Sequence, residues 1–157
     1  MFRPIVLLAL LLAMPAAARI VQARGQWAAI AEQGRCRAMA RSLRDAAKGQ
    51  RQAYAAFLFD PARRQAGVLS VRLSRPARPG GSVILTVGDR PFMLKGVGDF
   101  AWSRGPAQEA AIIAAVRRSS SMRVEARDGA GRRSVDRYLL DGAPTAIDAA
   151  AADCSRR

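Results

Sequence analysis

The sequence predicts a mainly β fold: an antiparallel, β-sandwich-like single domain with one or two short helices. Short apolar runs alternate with period two at Val68–Leu73, Ser82–Val87 and Ser121–Arg127. Turn chemistry punctuates them, as at Gly88-Asp89 and Asp128-Gly129. The strongest helical pattern in the chain is confined to Pro106–Val116.

The first 18 residues read as an export signal. Arg3 gives a short positive segment, Ile5–Met14 an apolar one, and Ala16-Ala17-Ala18 small residues for cleavage. A later cut could follow Val21-Gln22-Ala23. A membrane anchor needs about 20 apolar residues. This run stops at Pro15 and no later stretch is long enough, so no integral membrane segment is expected after cleavage. No Cys near the cut invites lipid attachment. Residues 19–157 are then one β domain, without repeats or a second zone of composition.

Within Gln26–Ala40, alanine content favours a helix. Gly34 breaks the run, and Trp27, Ala29, Ala31 with Cys36, Ala38, Ala40 fit two short strands equally well. Ser42–Gln52 is polar and reads as a loop. Gln52–Phe59 carries Tyr54, Phe57, Leu58 and Phe59, and Asp60-Pro61 ends it. In Val68–Leu73, Leu69, Val71 and Leu73 share one face, with Ser70 and Arg72 opposite. Arg75–Gly81 is a Pro/Gly loop. Val83, Leu85 and Val87 then alternate with Ile84 and Thr86, and Gly88-Asp89 turns the chain. Pro91 opens the returning strand, where its missing N–H costs least. Gly96–Gly98 is expected to open a loop leading to Asp99–Trp102.

Pro106 suits the first position of a helix, Glu109 its early dipole, and Arg117 and Arg118 its end. Ile112, Ile113 and Val116 form its apolar stripe. Met122, Val124 and Ala126 point inward from the next strand, and Ser134–Leu140 returns after Asp128-Gly129. Thr145–Ala152 reads as a short helix, with Thr145 and Asp148 as a capping box.

Basic residues number 26 against 12 acidic ones, a net charge of +14, with lysine only at Lys48 and Lys95. That balance favours anionic partners: phospholipid headgroups, acidic envelope polymers or nucleic acid. The arginines are scattered. The candidate anion-binding residues are Arg75, Arg78, Arg132 and Arg133, in loops. Trp102 is a candidate ligand-stacking residue. Few aromatics remain for bases to stack on, which speaks against nucleic acid.

The chain has no histidine, which excludes Ser-His-Asp and Cys-His catalysis. Its two cysteines, Cys36 and Cys154, read as a disulfide in an oxidising compartment. Two free buried thiols are the alternative, and metal binding fails on ligand count. Gly80-Gly81 and Gly96-x-Gly98 lack the Lys-Ser/Thr of a phosphate loop, and no cofactor or metal is expected. Asp89, Asp99 and Asp136 could in principle serve acid/base chemistry. A hydrolase using Asp99 and Asp136 is therefore the enzymatic alternative to a binding protein, with turn and structural roles as the plainer reading.

The ordered series of Trp27, Cys36, Val83–Phe92, Asp99-Phe100-Ala101-Trp102, Met122-Arg123-Val124, Gly131-x4-Asp136-x-Tyr138-x-Leu140-x-Gly142, Ala146 and Cys154 resembles the invasion-associated locus B family of exported alphaproteobacterial proteins. The resemblance spans Trp27 to Cys154. It implies a compact β-sandwich-like domain in the periplasm or at the cell surface, and strands across Trp27–Ala40. The export signal, the sandwich pattern and the positive charge together point to a non-enzymatic binding or envelope-interaction protein, with anionic envelope components or an envelope or host protein as partner.

Overall fold

The computed structural model describes residues 17–156, so the expected export signal, residues 1–18, lies almost wholly outside the described residues. In chain order the strands are β1 (Arg19–Arg24), β2 (Trp27–Glu32), β3 (Arg35–Arg41), β4 (Tyr54–Asp60), β5 (Gln65–Arg72), β6 (Val83–Val87), β7 (Arg90–Val97), β8 (Phe100–Trp102), β9 (Ser121–Arg127) and β10 (Arg133–Leu139). Helix α1 (Pro106–Val116) lies between β8 and β9, and α2 (Ala143–Ser155) follows β10. All neighbours pair antiparallel in one sheet, ordered β1-β2-β3-β4-β5-β8-β7-β6-β9-β10. Among the described residues no helix is long and apolar enough to cross a membrane.

The sheet turns a corner along β7. Its first half pairs with β6 through Leu94↔Val83, and its second half with β8 through Lys95↔Trp102. Gly96 sits at this corner, where a Cβ would come within 2.6 Å of Val83 Cγ2. A strand shared by two layers must bend, and glycine lets it bend tightly. The layer of β6, β9 and β10 thereby folds over the layer of β1–β5 and β8.

β10 crosses the ends of the first layer rather than running along them. Asp136 Oδ2 accepts from Ser74 N, just past β5, at 2.9 Å. The Arg137 carbonyl accepts from Leu43 N, just past β3, at 2.8 Å. The Leu139 carbonyl accepts from Trp27 Nε1, at the start of β2, at 2.8 Å. These bonds also satisfy carbonyls on the outer edge of β10, which would otherwise invite pairing with another chain.

Period two then decides what fills the space between layers. Phe57, Leu69, Val71, Val83, Leu85, Val87, Met122, Val124 and Tyr138 are buried in one cluster. Over β2 and β3 the inner face is alanine instead: Ala29, Ala31, Ala38 and Ala40. The buried face of α2 is also small, with Ala143, Ala146 and Ala150 around Ile147. Small residues on both sides let the helix lie close on β1, β2 and β3. The last turn of α2 carries Cys154, bonded to Cys36 with Cα atoms 5.8 Å apart and both residues buried. Arg19 Nη2 donates to both Asp153 oxygens, at 2.8 and 3.0 Å, fastening β1 to the same helix end. A cut after Ala23 would remove nearly all of β1 and this ion pair.

The mainly β expectation holds, as do the hairpin at Gly88-Asp89, Pro91 early in its strand, and the limits of α1 and β9. Two local expectations are corrected. β7 continues through Gly96 to Val97, because Lys95, Gly96 and Val97 pair with β8; only Gly98 and Asp99 form the turn. The Thr145–Asp148 capping box is absent. α2 begins two residues earlier with no side-chain cap, its N-cap being Gly142 at φ +83°, where a Cβ would overlap the Arg24 carbonyl. Asp148 instead accepts from Arg117 at 2.5 and 3.1 Å, linking α2 to the end of α1.

Candidate functional site

The arginines singled out in the sequence gather around the β9–β10 turn. Asp128 is the hub of that turn. Its Oδ1 accepts from Ala130 N at 3.0 Å and Arg132 N at 2.9 Å, the local bonding that aspartate in a turn provides. Its Oδ2 accepts from Arg132 Nε at 2.9 Å and lies 3.5 Å from Arg75 Nη1. Burial acts to raise this carboxyl, but the bonds and charge of Arg132 and the Ala130 amide outweigh it and hold it below the ordinary carboxylate range. It therefore stays charged and keeps Arg75 and Arg132 side by side.

A groove of about 730 Å³ opens beside this hub, between residues 44–53, residues 74–76 and residues 128–132. Arg44 and Arg51 line its far wall, both exposed and without an ion pair among the described residues. On the other side of the hairpin, Arg78, Arg127 and Arg133 line a smaller groove of about 260 Å³ with Glu125. Arg133 is ion-paired to Glu125, and Arg78 N donates to the Arg127 carbonyl at 2.9 Å. Two of the four sequence-derived candidates thus stand on each side of one hairpin. Together the grooves hold seven arginines against Asp45, Asp128 and Glu125, an uncompensated positive field at one end of the molecule. Arg44, Arg51 and Arg127 were missed by sequence reasoning; they are separated along the chain, and only the pairing of β9 with β10 and the path of the 42–53 loop unite them.

Trp102 lies elsewhere, on the outward face of the first layer. Its ring is near-parallel to Phe100, with centroids 5.9 Å apart and planes at 17°. The Arg72 guanidinium stands over Phe100 at 5.6 Å and bonds Asp99 Oδ2 at 3.2 Å. A third pocket, of about 370 Å³, lies near the disulfide and includes Glu32, Arg35, Arg37, Asp60 and Arg63. There Asp60 caps the turn Pro61–Arg63, and the hydrogen bond from Arg63 holds its carboxyl below the usual range.

The two carboxylates of the enzymatic alternative are placed differently. Asp99 is half-exposed beside Arg72, while Asp136 is 1 % exposed, under Ser74 N. Neither lines any of the grooves described. Two residues along the same strand, Tyr138 is also 1 % exposed, and its hydroxyl has no hydrogen-bond partner among the described residues. Burial, with a smaller contribution from the Asp136 charge, pushes the phenol well above its ordinary range. Its folded value lies above the unfolded one, near 10, so this contribution to stability is complete below about pH 10 and lost as pH rises further. Tyr138→Phe is expected to leave stability at neutral pH unchanged, or raise it by less than about 1 kcal/mol, since an unpaired buried hydroxyl is removed. The variant should also unfold less readily above about pH 10. Thermal melts of both proteins from neutral to alkaline pH check this, and a variant more alkali-sensitive than the parent would contradict it.

No family model, curated protein or solved structure matches this chain.

Proposed function

We propose that this chain is an exported, non-enzymatic binding module of the cell envelope, of the kind the invasion-associated locus B resemblance describes, and that it engages anionic partners. The observation that carries the reading is the arginine-lined groove at the β9–β10 turn. Asp128 organises two of its guanidinium groups, and Arg44 and Arg51 remain uncompensated. Guanidinium forks suit carboxylate, sulfate and phosphate oxygens. The disulfide is compatible with an oxidising envelope compartment. The settings of Asp99 and Asp136 support binding over hydrolysis: one is half-exposed and paired with Arg72, the other is enclosed in the core.

Polygalacturonate, a soluble polyanion, is a direct probe. Binding should be measurable at low ionic strength and fall steeply between about 50 and about 300 mM salt, as screening predicts. Arg44→Ser with Arg51→Ser should weaken it on the order of tenfold at low salt, at about 1 kcal/mol or somewhat less per unpaired cation. The bonds Arg44 accepts from Ser42 and Gln52 go to its backbone carbonyl, and among the described residues neither arginine side chain is hydrogen-bonded or ion-paired, so stability should hold. Absence of binding at low salt, or an affinity indifferent to both substitutions, would remove the reading.

A further inference from the structure

We propose that the outward face of β7 and β8 is a docking surface for an anionic lipid bilayer, a reading that rests on the anionic partner above and names its class. The inner face of this layer is already covered: α1, α2 and the second layer all pack on it. The outer face is not covered by any described element. On it, strand register places Val97 opposite Phe100 and Lys95 opposite Trp102, with Arg72 opposite Phe100 on the far side. Met93, two residues before Lys95, points the same way. Val97 is 61 % exposed and Met93 42 %, so two aliphatic side chains stand in water beside two aromatic rings. Exposed Lys95 flanks them, while Arg72 is held over Phe100 and paired with Asp99.

The composition selects the occupant. Sugars and bases need an open ring face to stack on, but Arg72 already covers Phe100, and Trp102 lies along it. Val97 and Met93 have no ring to offer. A second copy would set one cation-bearing face against another on a chain of net charge +14. A bilayer with acidic headgroups satisfies both halves of the surface. Apolar side chains enter the headgroup–acyl boundary while Lys95 meets the phosphates, backed by the net charge of +14. Tryptophan beside cations is suited to that depth.

The test uses vesicles of phosphatidylglycerol, with phosphatidylcholine vesicles and polygalacturonate as comparisons. Trp27 is buried and 1 % exposed, so a change in tryptophan emission reports Trp102. Phosphatidylglycerol vesicles should shift that emission to the blue, and brominated acyl chains should quench it. Val97→Asp should weaken vesicle binding about tenfold or more, through lost apolar burial and added repulsion. It should leave polygalacturonate binding at its parental value. Lys95→Glu should act in the same sense, so the result does not depend on one variant. Parental vesicle affinity in both variants, or unchanged Trp102 emission, overturns the proposal while leaving the groove reading standing. Equal losses toward vesicles and polygalacturonate would also overturn it, since the face would then serve a soluble polyanion. Failure of every anionic probe would remove the groove reading as well.

Discussion

Replacing Cys36 and Cys154 together with alanine should lower the unfolding free energy by about 4–5 kcal/mol, which is most of the margin an ordinary domain has. The bridge closes a loop of 118 residues, nearly the whole folded chain. On the chain-entropy account, such a loop removes much of the freedom of the unfolded state. A local cost adds to it. α2 lies on β2 and β3 through alanine faces, which bury little area per residue and hold the helix weakly by themselves. Its distal end is fixed by the disulfide and by the bonds of Arg19 to Asp153. Without sulfur, the last turn of α2 should fray first, and amide exchange there should rise before global unfolding. The melting temperature should drop by about 10–20 °C. Chemical denaturation of the variant beside the parent measures the difference, and a loss under about 1 kcal/mol would show that the bridge is dispensable.

Trp27→Ala should cost about 3–5 kcal/mol. Trp27 is fully buried, packs against Phe57 with ring centroids 5.9 Å apart, and donates through Nε1 to the Leu139 carbonyl. It is thus both core volume and one of three attachments of β10 across the first layer. Trp27→Phe separates these roles. It keeps most of the apolar volume and leaves the Leu139 carbonyl without its donor, so about 1–2 kcal/mol should be lost. If the two variants were equally destabilised, the hydrogen bond rather than packing would dominate; if Trp27→Phe were neutral, the bond would contribute nothing to closing the fold.

How legible the fold was depended on how far each element is determined by its own residues. The β6–β7 hairpin was readable because Val83, Leu85 and Val87 face inward in strict alternation, and Gly88-Asp89 supplies the turn. The same holds for β9, whose Met122, Val124 and Ala126 are buried. α1 was readable from Pro106 and its apolar stripe, and Ile112 and Val116 are indeed buried. β2 and β3 could not be resolved from residues alone, since alanine suits a helix by propensity and here serves to admit α2. β4 reads as a continuous apolar run, with no period to separate strand from helix. β1 follows directly on the apolar stretch read as an export signal, and a register shift between Ile20 and Gln22 breaks its alternation. The α2 cap was misread because Thr145 and Asp148 have the right spacing, but the tight approach of Arg24 to Gly142 sets the helix start.

The candidate site was legible in its residue type and not in its shape. Arg75, Arg78, Arg132 and Arg133 stood out as loop arginines, yet their two-sided arrangement depends on β10 crossing the ends of β5 and β3. That crossing rests on bonds between residues up to 112 positions apart, such as Trp27 to Leu139. No local pattern encodes it. Trp102 was marked for stacking, and its ring already has a neighbour in Phe100, one that strand spacing places two residues away on the same face.

Thiol mapping in the native cell addresses the central claim, an exported domain held closed between Cys36 and Cys154. Cells are treated with an alkylating reagent before lysis, fractionated, and the protein is digested without reduction and analysed by mass spectrometry. The expected result is a single cross-linked peptide pair containing Cys36 and Cys154, found in the periplasmic or external fraction. Alkylated Cys36 and Cys154 in protein recovered from the cytoplasm would contradict it.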